Sequence, residues 1–351
     1  MKYRNEHRKN CMVRDLRIFF VAGLTLAMLL PMTVMGQNFI PNPGFTGDTK
    51  GWQLNPAQWI FDETGGRNGG ACVAVQNTKP DGVRMQSDPV QIAANTYYRM
   101  TLWCRSEAVD TTYVSGILFY AVNGTIPIFG NTALTGESTQ WFPITHYFFS
   151  GDTKEAAMSF GSRFMEGKVW FDDAEMVPVT SAQLRENLVP NADFEYGEIG
   201  KFPISWTDLL RWLGDKRPPV KISLAAAGFI KGEKSLMLDG STVAADGEGG
   251  VQSTYVPVMT GSNYVLSVWI KGTAGISARL MVDGFVGGQK AHWYQQKYVS
   301  ASDTWHKETL EVKIPDESDA KYFMPNRFVR IDLNLKGTGI VWADDVTFKM
   351  K

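Results

Sequence analysis

The chain has 351 residues, 35 Lys and Arg against 36 Asp and Glu, a formal net charge of −1, and 12% aromatic residues. This balance leaves no basic footprint for nucleic acid and no polybasic patch for an anionic membrane, so neutral partners fit better. The length exceeds the roughly 100–200 residues of one domain and predicts two; 34 glycines and 11 tryptophans predict many turns between aromatic-rich strands.

Residues 1–17 are basic and residues 18–30 are an apolar run closed by Pro31, the pattern of a signal peptide. Val34 and Gly36 place cleavage before Gln37, which makes residues 1–36 the leader. The run is shorter than the about 20 residues of a membrane-spanning helix; an uncleaved anchor is the alternative, and no stable membrane insertion is expected after cleavage. The mature chain is expected to be secreted, periplasmic or on the cell surface of a bacterium. Cys11 leaves with the leader. Export permits a disulfide between Cys72 and Cys104, but the register of their strands is not fixed by sequence, and the pairing stays open. Two lone cysteines beside the scattered His146, His292 and His306 make a poor zinc site.

The mature chain opens Asn38-Phe39-Ile40-Pro41-Asn42-Pro43-Gly44-Phe45, and the pattern returns as Asn187-Leu188-Val189-Pro190-Asn191-Ala192-Asp193-Phe194. Trp52 and Trp206 follow. Gln86-Ser87, Tyr98 and Trp103 recur as Gln252-Ser253, Tyr264 and Trp269, and Trp141 recurs as Trp305. Each half closes on one motif, Val169-Trp170-Phe171-Asp172-Asp173 and Val341-Trp342-Ala343-Asp344-Asp345. Landmarks in one order with growing spacing mean a duplicated domain with loop insertions in the second copy. The expected division is residues 37–178, a linker 179–186, and residues 187–351. Apolar residues alternate within each half. Val329, Ile331, Leu333 and Leu335 share one face, and Arg330, Asp332 and Asn334 share the other. Period two of this kind predicts half-buried antiparallel strands, and many short strands between Gly, Asn, Asp and Pro turns predict two tandem all-β sandwiches of jelly-roll type.

The opening Asn-Leu-Val-Pro-Asn-Ala-Asp-Phe-Glu of residues 187–195, Trp206, the strand from Tyr264 and the closing Trp342-Ala343-Asp344-Asp345-Val346 resemble carbohydrate-binding modules of families 4, 9 and 22, in the galactose-binding-like jelly-roll group. The resemblance covers the mature chain twice. It implies a structural calcium between the N-terminal segment and the last strand: Glu195 and Asp344 match those positions in the second copy, with a backbone oxygen near residues 232–234 as third ligand. In the first copy Thr46 replaces Glu195 and Asp172 stands for Asp344, which implies a weaker site. Asp344 shares strand parity with Trp342, Val346 and Phe348, so it is expected on the core side, where a carboxylate needs a partner or a metal. A turn carboxylate bonded to backbone amides is the alternative.

A sugar site needs an aromatic platform with polar groups beside it. The densest cluster is Trp293, Tyr294, Gln295, Gln296 and Tyr298, in an insertion at 287–298, with Arg279, Asp283, Arg330, Asp332 and Asn334 from strand faces. In the first copy the candidates are Trp59, Arg84, Gln86, Tyr120 and Arg163. Trp103, Trp170, Trp269 and Trp342 are expected in the core, and Trp52 and Trp206 near a domain edge. Trp293 and Tyr294, consecutive on a strand, cannot both face inward. No catalytic motif is present. The chain therefore reads as a non-enzymatic protein binding a poly- or oligosaccharide beside a glycoside hydrolase. The alternatives are an enzyme component acting on glycosyl bonds and an adhesive, protein-binding structural protein.

Overall fold

The period-two runs fold as antiparallel strands with one apolar face turned inward. The computed structural model describes residues 37–107, 116–128, 132–134, 138–209, 219–226, 228–286, 289–316 and 327–351; residues 1–36, expected as the leader, lie outside them. The first half contributes β1 (Trp52–Gln53), β2 (Ile60–Asp62), β3 (Cys72–Ser87), β4 (Val90–Gln91), β5 (Tyr97–Glu107), β6 (Gly116–Asn123), β7 (Ile126–Pro127), β8 (Thr132–Leu134), β9 (Phe142–Phe149) and β10 (Glu155–Pro178). After a 3₁₀ turn at Gln183–Arg185 come β11 (Trp206–Asp208), β12 (Lys221–Ala225), β13 (Ser235–Asp239), β14 (Glu248–Ser253), β15 (Val256–Pro257), β16 (Asn263–Gly272), β17 (Ser277–Val286), β18 (Gln289–Ser300), β19 (His306–Lys313), β20 (Phe328–Lys336) and β21 (Ile340–Met350). Among the described residues no helix is long and apolar enough to cross a membrane.

The two halves repeat one pairing scheme. In the second, β12-β13-β21-β16-β19 form one layer and β11-β14-β20-β17-β18, with β15 on β20, form the other. In the first, β3 and β10 each serve both layers: their outer portions pair with β2 and β5, while Met85 and Phe160 lie in a stretch shared with β1 and β6. Register shifts around Met165 mark the crossing. The second copy cuts both long strands, inserting residues 240–247 between β13 and β14 and 337–339 between β20 and β21. Gly337, at φ +99°, makes the second break in a left-handed conformation that glycine takes without strain. Both halves are thus all-β antiparallel sandwiches, as the alternation predicts.

Equivalent side chains hold equivalent places. Asn38 bridges Ala174 and Met176 of the last strand, and Asn187 bridges Val346 and Phe348 in the same way. The Ser87 hydroxyl accepts the Met158 N–H at 3.0 Å, and the Ser253 hydroxyl accepts that of Ile331 at 2.9 Å. Trp52 and Trp206 are buried against Phe45 and Phe194, each pair with ring centroids 5.2 Å apart. They are core residues, and the expected edge position is corrected.

The strand phase decides the cysteine pairing that the sequence left open and changes two expectations. Cys104 faces the main core, whereas Cys72 lies with Ala74 and Trp170 on the opposite face of the sheet. Both thiols are free, and burial raises both pKa values, that of Cys72 to about 12. Trp103, Trp269 and Trp342 alternate out of the cores and sit partly exposed on the outer faces, while Trp170 is buried with Cys72 and Ala74 in a small cluster of its own; Arg67 lies 3.5 Å over Trp103 and Arg105 4.3 Å over Trp170. Such cation–π cover replaces inter-sheet packing. Asp344 lies with Trp342, not with Val346 and Phe348, because a bulge at Asp345, φ +47°, rephases the strand.

The halves also share apolar packing. Ile204, Phe285 and Phe328 of the second half belong to the same buried cluster as the first half's core. The Tyr97 hydroxyl donates to the Val258 carbonyl at 2.8 Å and its ring meets Phe328 edge-on at 5.8 Å, while Arg327 lies 4.0 Å over Phe149.

Candidate functional site

The candidate site grows from the alternation of one layer. Because Val251, Leu280, Val282, Leu333 and Leu335 face the inner core, their neighbours along β14, β17 and β20 face outward. Register then builds three rows across the sheet. Thr207, Gln252, Asp332, Met281 and Gln296 lie side by side from β11 to β18. Gly250, Asn334, Arg279 and Tyr298 form the next row, and Arg330, Asp283 and Tyr294 the third.

This face is polar yet buried at its floor. Asp332 is 0% exposed, Asn334 1% and Asp283 2%, whereas Tyr294 is 54% exposed and Tyr298 47%. Arg279 pairs with Glu248 at 2.5 Å. Arg330 is fixed by Nε to the Ser253 carbonyl at 2.7 Å and Nη2 to the Thr207 hydroxyl at 2.8 Å, with its guanidinium 5.3 Å from the Tyr255 ring. Lys336 lies 5.8 Å from the Tyr298 ring. Among the described residues neither amide atom of Asn334 has a hydrogen-bond partner. A buried unsatisfied group costs roughly 1–3 kcal/mol, which marks this amide as a candidate for contact with a ligand. Room for it comes from Gly250, where a Cβ would stand 2.5 Å from Asn334 Oδ1.

The structure therefore gathers Arg279, Asp283, Tyr294, Tyr298, Arg330, Asp332 and Asn334 on one face. Two expected members leave it. Trp293 is 7% exposed and packs in the inner core, so the platform falls to Tyr294 and Tyr298, which have the opposite strand phase. Gln295 also turns inward, its Oε1 accepting the Lys313 N–H from the facing layer at 2.9 Å. The insertion is a sheet-edge strand, β18, and Gly287 and Gly288 lie outside the described residues. Thr207, Glu248, Gln252 and Met281 join the face unforeseen. Gln252 had a signal, since it repeats Gln86.

In the first half Arg84, Gln86, Ser159, Arg163 and Tyr120 occupy the matching face, with Ser159 opposite both Gln86 and Tyr120. Here Gly161 faces Arg84 where Asn334 faces Gly250, so the glycine changes strand. Leu118, Tyr120, Val122 and Ala157 form an apolar cluster in place of the second copy's charges. Arg84 reaches the Tyr120 hydroxyl at 3.4 Å and Gln86 the Gly124 carbonyl at 3.2 Å. Trp59 is not on this face: it is buried between Phe160 and Phe171 at ring distances of 5.7 and 5.8 Å.

The carboxylates expected to bind calcium hold a loop instead. Asp344 Oδ2 accepts the N–H groups of Ile230 and Lys231 at 2.6 and 3.0 Å, and Oδ1 accepts that of Asp345 at 2.7 Å. Glu195 Oε1 accepts from the N–H groups of Glu233 and Lys234 at 2.8 and 3.0 Å, and the Lys234 ammonium donates to the Glu195 carbonyl at 2.7 Å. In the first copy Asp172 accepts from the Arg67 and Asp173 N–H groups, both at 2.8 Å, while the Thr46 N–H donates to Asn42 Oδ1. Among the described residues no group of three His, Cys, Asp or Glu could hold a metal ion. Calcium wants six to eight oxygens, and here N–H donors and an ammonium already face them, so the residues as placed do not fit the ion. Burial raises the Asp344 pKa, and that of Asp172 to about 6, against the lowering effect of the same amides.

No family model and no curated protein matches the chain. Among solved structures it is similar to the CBM22-1-CBM22-2 tandem domain of Xyn10C from Paenibacillus barcinonensis, with 14% identity, 90% of this chain and 98% of that chain covered, and a TM-score of 0.32. It is also similar to the C-terminal family 22 carbohydrate-binding module of Xyn10B from Clostridium thermocellum, with 21% identity, 47% and 92% covered, and a TM-score of 0.29. A third is the enzymatically active domain of tailspike protein 4 from bacteriophage CBA120, with 13% identity, 47% and 21% covered, and a TM-score of 0.35. Likenesses this distant do not define a ligand.

Proposed function

We propose that the chain is a non-catalytic carbohydrate-binding protein that takes a neutral poly- or oligosaccharide on the outward face of β11-β14-β20-β17-β18. The observation that carries this reading is the Asn334 amide, buried and, among the described residues, without a hydrogen-bond partner, on a floor of polar side chains beside two exposed tyrosines. Sugar hydroxyls supply donors and acceptors for such a floor, and sugar C–H faces stack on aromatic rings. The second copy carries the affinity, because in the first an apolar cluster of Leu118, Tyr120, Val122 and Ala157 takes the place of the second copy's charged side chains. The basic and apolar leader supports action outside the bacterial cytoplasm, beside a glycoside hydrolase that supplies the chemistry this chain lacks.

The test is affinity electrophoresis of the mature chain in gels containing xylan, β-1,4-galactan or soluble cellulose. At least one polysaccharide is expected to retard it, and Tyr298→Ala and Asn334→Ala are each expected to weaken retention about tenfold, equivalent to about 1.4 kcal/mol. Equal retention of both variants on a polysaccharide that binds the unaltered chain would remove the site from this face.

A further inference from the structure

The second copy carries a loop that the first lacks. Phe45 and Trp52 are seven positions apart, whereas their counterparts Phe194 and Trp206 are twelve apart. The longer loop walls a cavity of about 260 Å³ where the halves meet, and residues 138–142 of the first half form the other wall. Tyr196 stands here, 36% exposed, where the first copy has Gly47, and Ile199 is 58% exposed.

The backbone that carries these open side chains is held in place. Asn191 clamps the Tyr196 backbone from both sides, its Nδ2 donating to the carbonyl at 3.0 Å and its Oδ1 accepting the N–H at 2.9 Å. Ile199 bridges to Leu224; the Gly200 N–H donates to the Leu224 carbonyl and the Leu224 N–H to the Lys201 carbonyl, both at 2.8 Å. Glu198 crosses between the halves, Oε1 accepting the Thr139 N–H at 2.9 Å and its hydroxyl at 3.1 Å. Ordering an exposed loop at three points costs conformational entropy. What it gives is an aromatic surface that needs no reordering when a ligand arrives.

We infer that this cavity is a second sugar-binding site, built from both halves and sized for one neutral pyranose ring. The inference rests on the glycan reading above and adds a site separate from the sheet face. Trp141, which is partly buried with Arg105 5.4 Å from its ring, and the exposed Tyr196 bring aromatic rings to the lining, and Gln140 and Glu198 bring polar groups for sugar hydroxyls. The volume is just below the range of about 300–1,000 Å³ that drug-sized ligands fill. The charged side chains of the lining, Glu195, Glu198 and Lys234, carry both signs and each is bonded to protein groups, which favours a sugar without net charge.

Saturation-transfer NMR on the mature chain with xylose, glucose, galactose and mannose tests the site. At least one sugar is expected to bind the Tyr298→Ala chain, in which the sheet face is weakened, and adding Tyr196→Ala or Glu198→Gln to that chain is expected to weaken the binding about tenfold. Tyr196 and Glu198 are on the loop surface, and circular dichroism checks the fold. No bound monosaccharide, or signals unaltered in both variants, overturns the inference. If Tyr298→Ala alone abolishes binding, the seam site falls and the sheet-face reading stands. If Tyr196→Ala abolishes all glycan binding and Tyr298→Ala changes nothing, the seam site stands and the sheet face falls.

Discussion

His146 has the most consequential environment of any single titratable side chain in the first core. It is fully buried, edge-on to Phe119 at 6.2 Å, and burial pushes its pKa down to about 3. The unfolded chain, with a histidine pKa of about 6.5, binds the proton that the folded chain refuses. The contribution of neutral His146 is therefore complete above about pH 6.5 and is lost as the pH falls toward 3. Asp172 runs the other way: its pKa is raised to about 6, so its contribution is complete below about pH 4 and is lost as the pH rises through 6. His146→Phe is expected to shrink the fall in Tm between neutral and acid pH by roughly 2–4 °C for each kcal/mol of linkage removed. Differential scanning calorimetry across that range checks it, and an unchanged acid limb would mean that His146 does not set it.

Among elements, the 228–234 loop shows how a carboxylate is stabilised in place. Three N–H groups reach Asp344 and two reach Glu195, with Lys234 closing the contact. Asp344→Ala leaves these donors without an acceptor, at roughly 1–3 kcal/mol for each that water cannot reach. We expect a lower Tm for the variant and no change in the wild-type Tm on adding a chelator. A chelator-induced fall that calcium reverses would show that the clamp closes around an ion. The edge strand β18 carries a similar lesson: one strand splits Trp293 from Tyr294 and Tyr298, sending the first to packing and the others to the open face.

At the scale of the molecule, the halves repeat one another but do not pack as separate bodies, since residues 36–351 form one compact unit. Phe328 is 1% exposed and lies in the first half's cluster although it begins a strand of the second. Independent folding of residues 37–178 and 187–351 is therefore expected to be impaired, with Phe285 and Phe328 laid bare. Phe328→Ala is expected to cost about 3–5 kcal/mol and to lower the unfolding of both halves together. Two well-separated calorimetric transitions, only one of them shifted, would show that the halves unfold independently.

The sequence alone determined the duplication, the antiparallel strands and the polar face of β20, because period two and repeated landmarks are local properties of the chain. Arg330, Asp332 and Asn334 were legible for that reason, and so were Arg279 and Asp283 on β17. Only the tertiary structure decided what lay across from them. Register placed Tyr294 and Tyr298 beside Asp283 and Arg279 and turned Trp293 into the core, since a shift of one residue exchanges the faces of a strand. A single bulge at Asp345 moved Asp344 off the phase its neighbours implied, and long-range packing buried Trp59 between two phenylalanines. Cys72 and Cys104 were separated by the same cause: strand parity against a common core depends on partners far away in sequence.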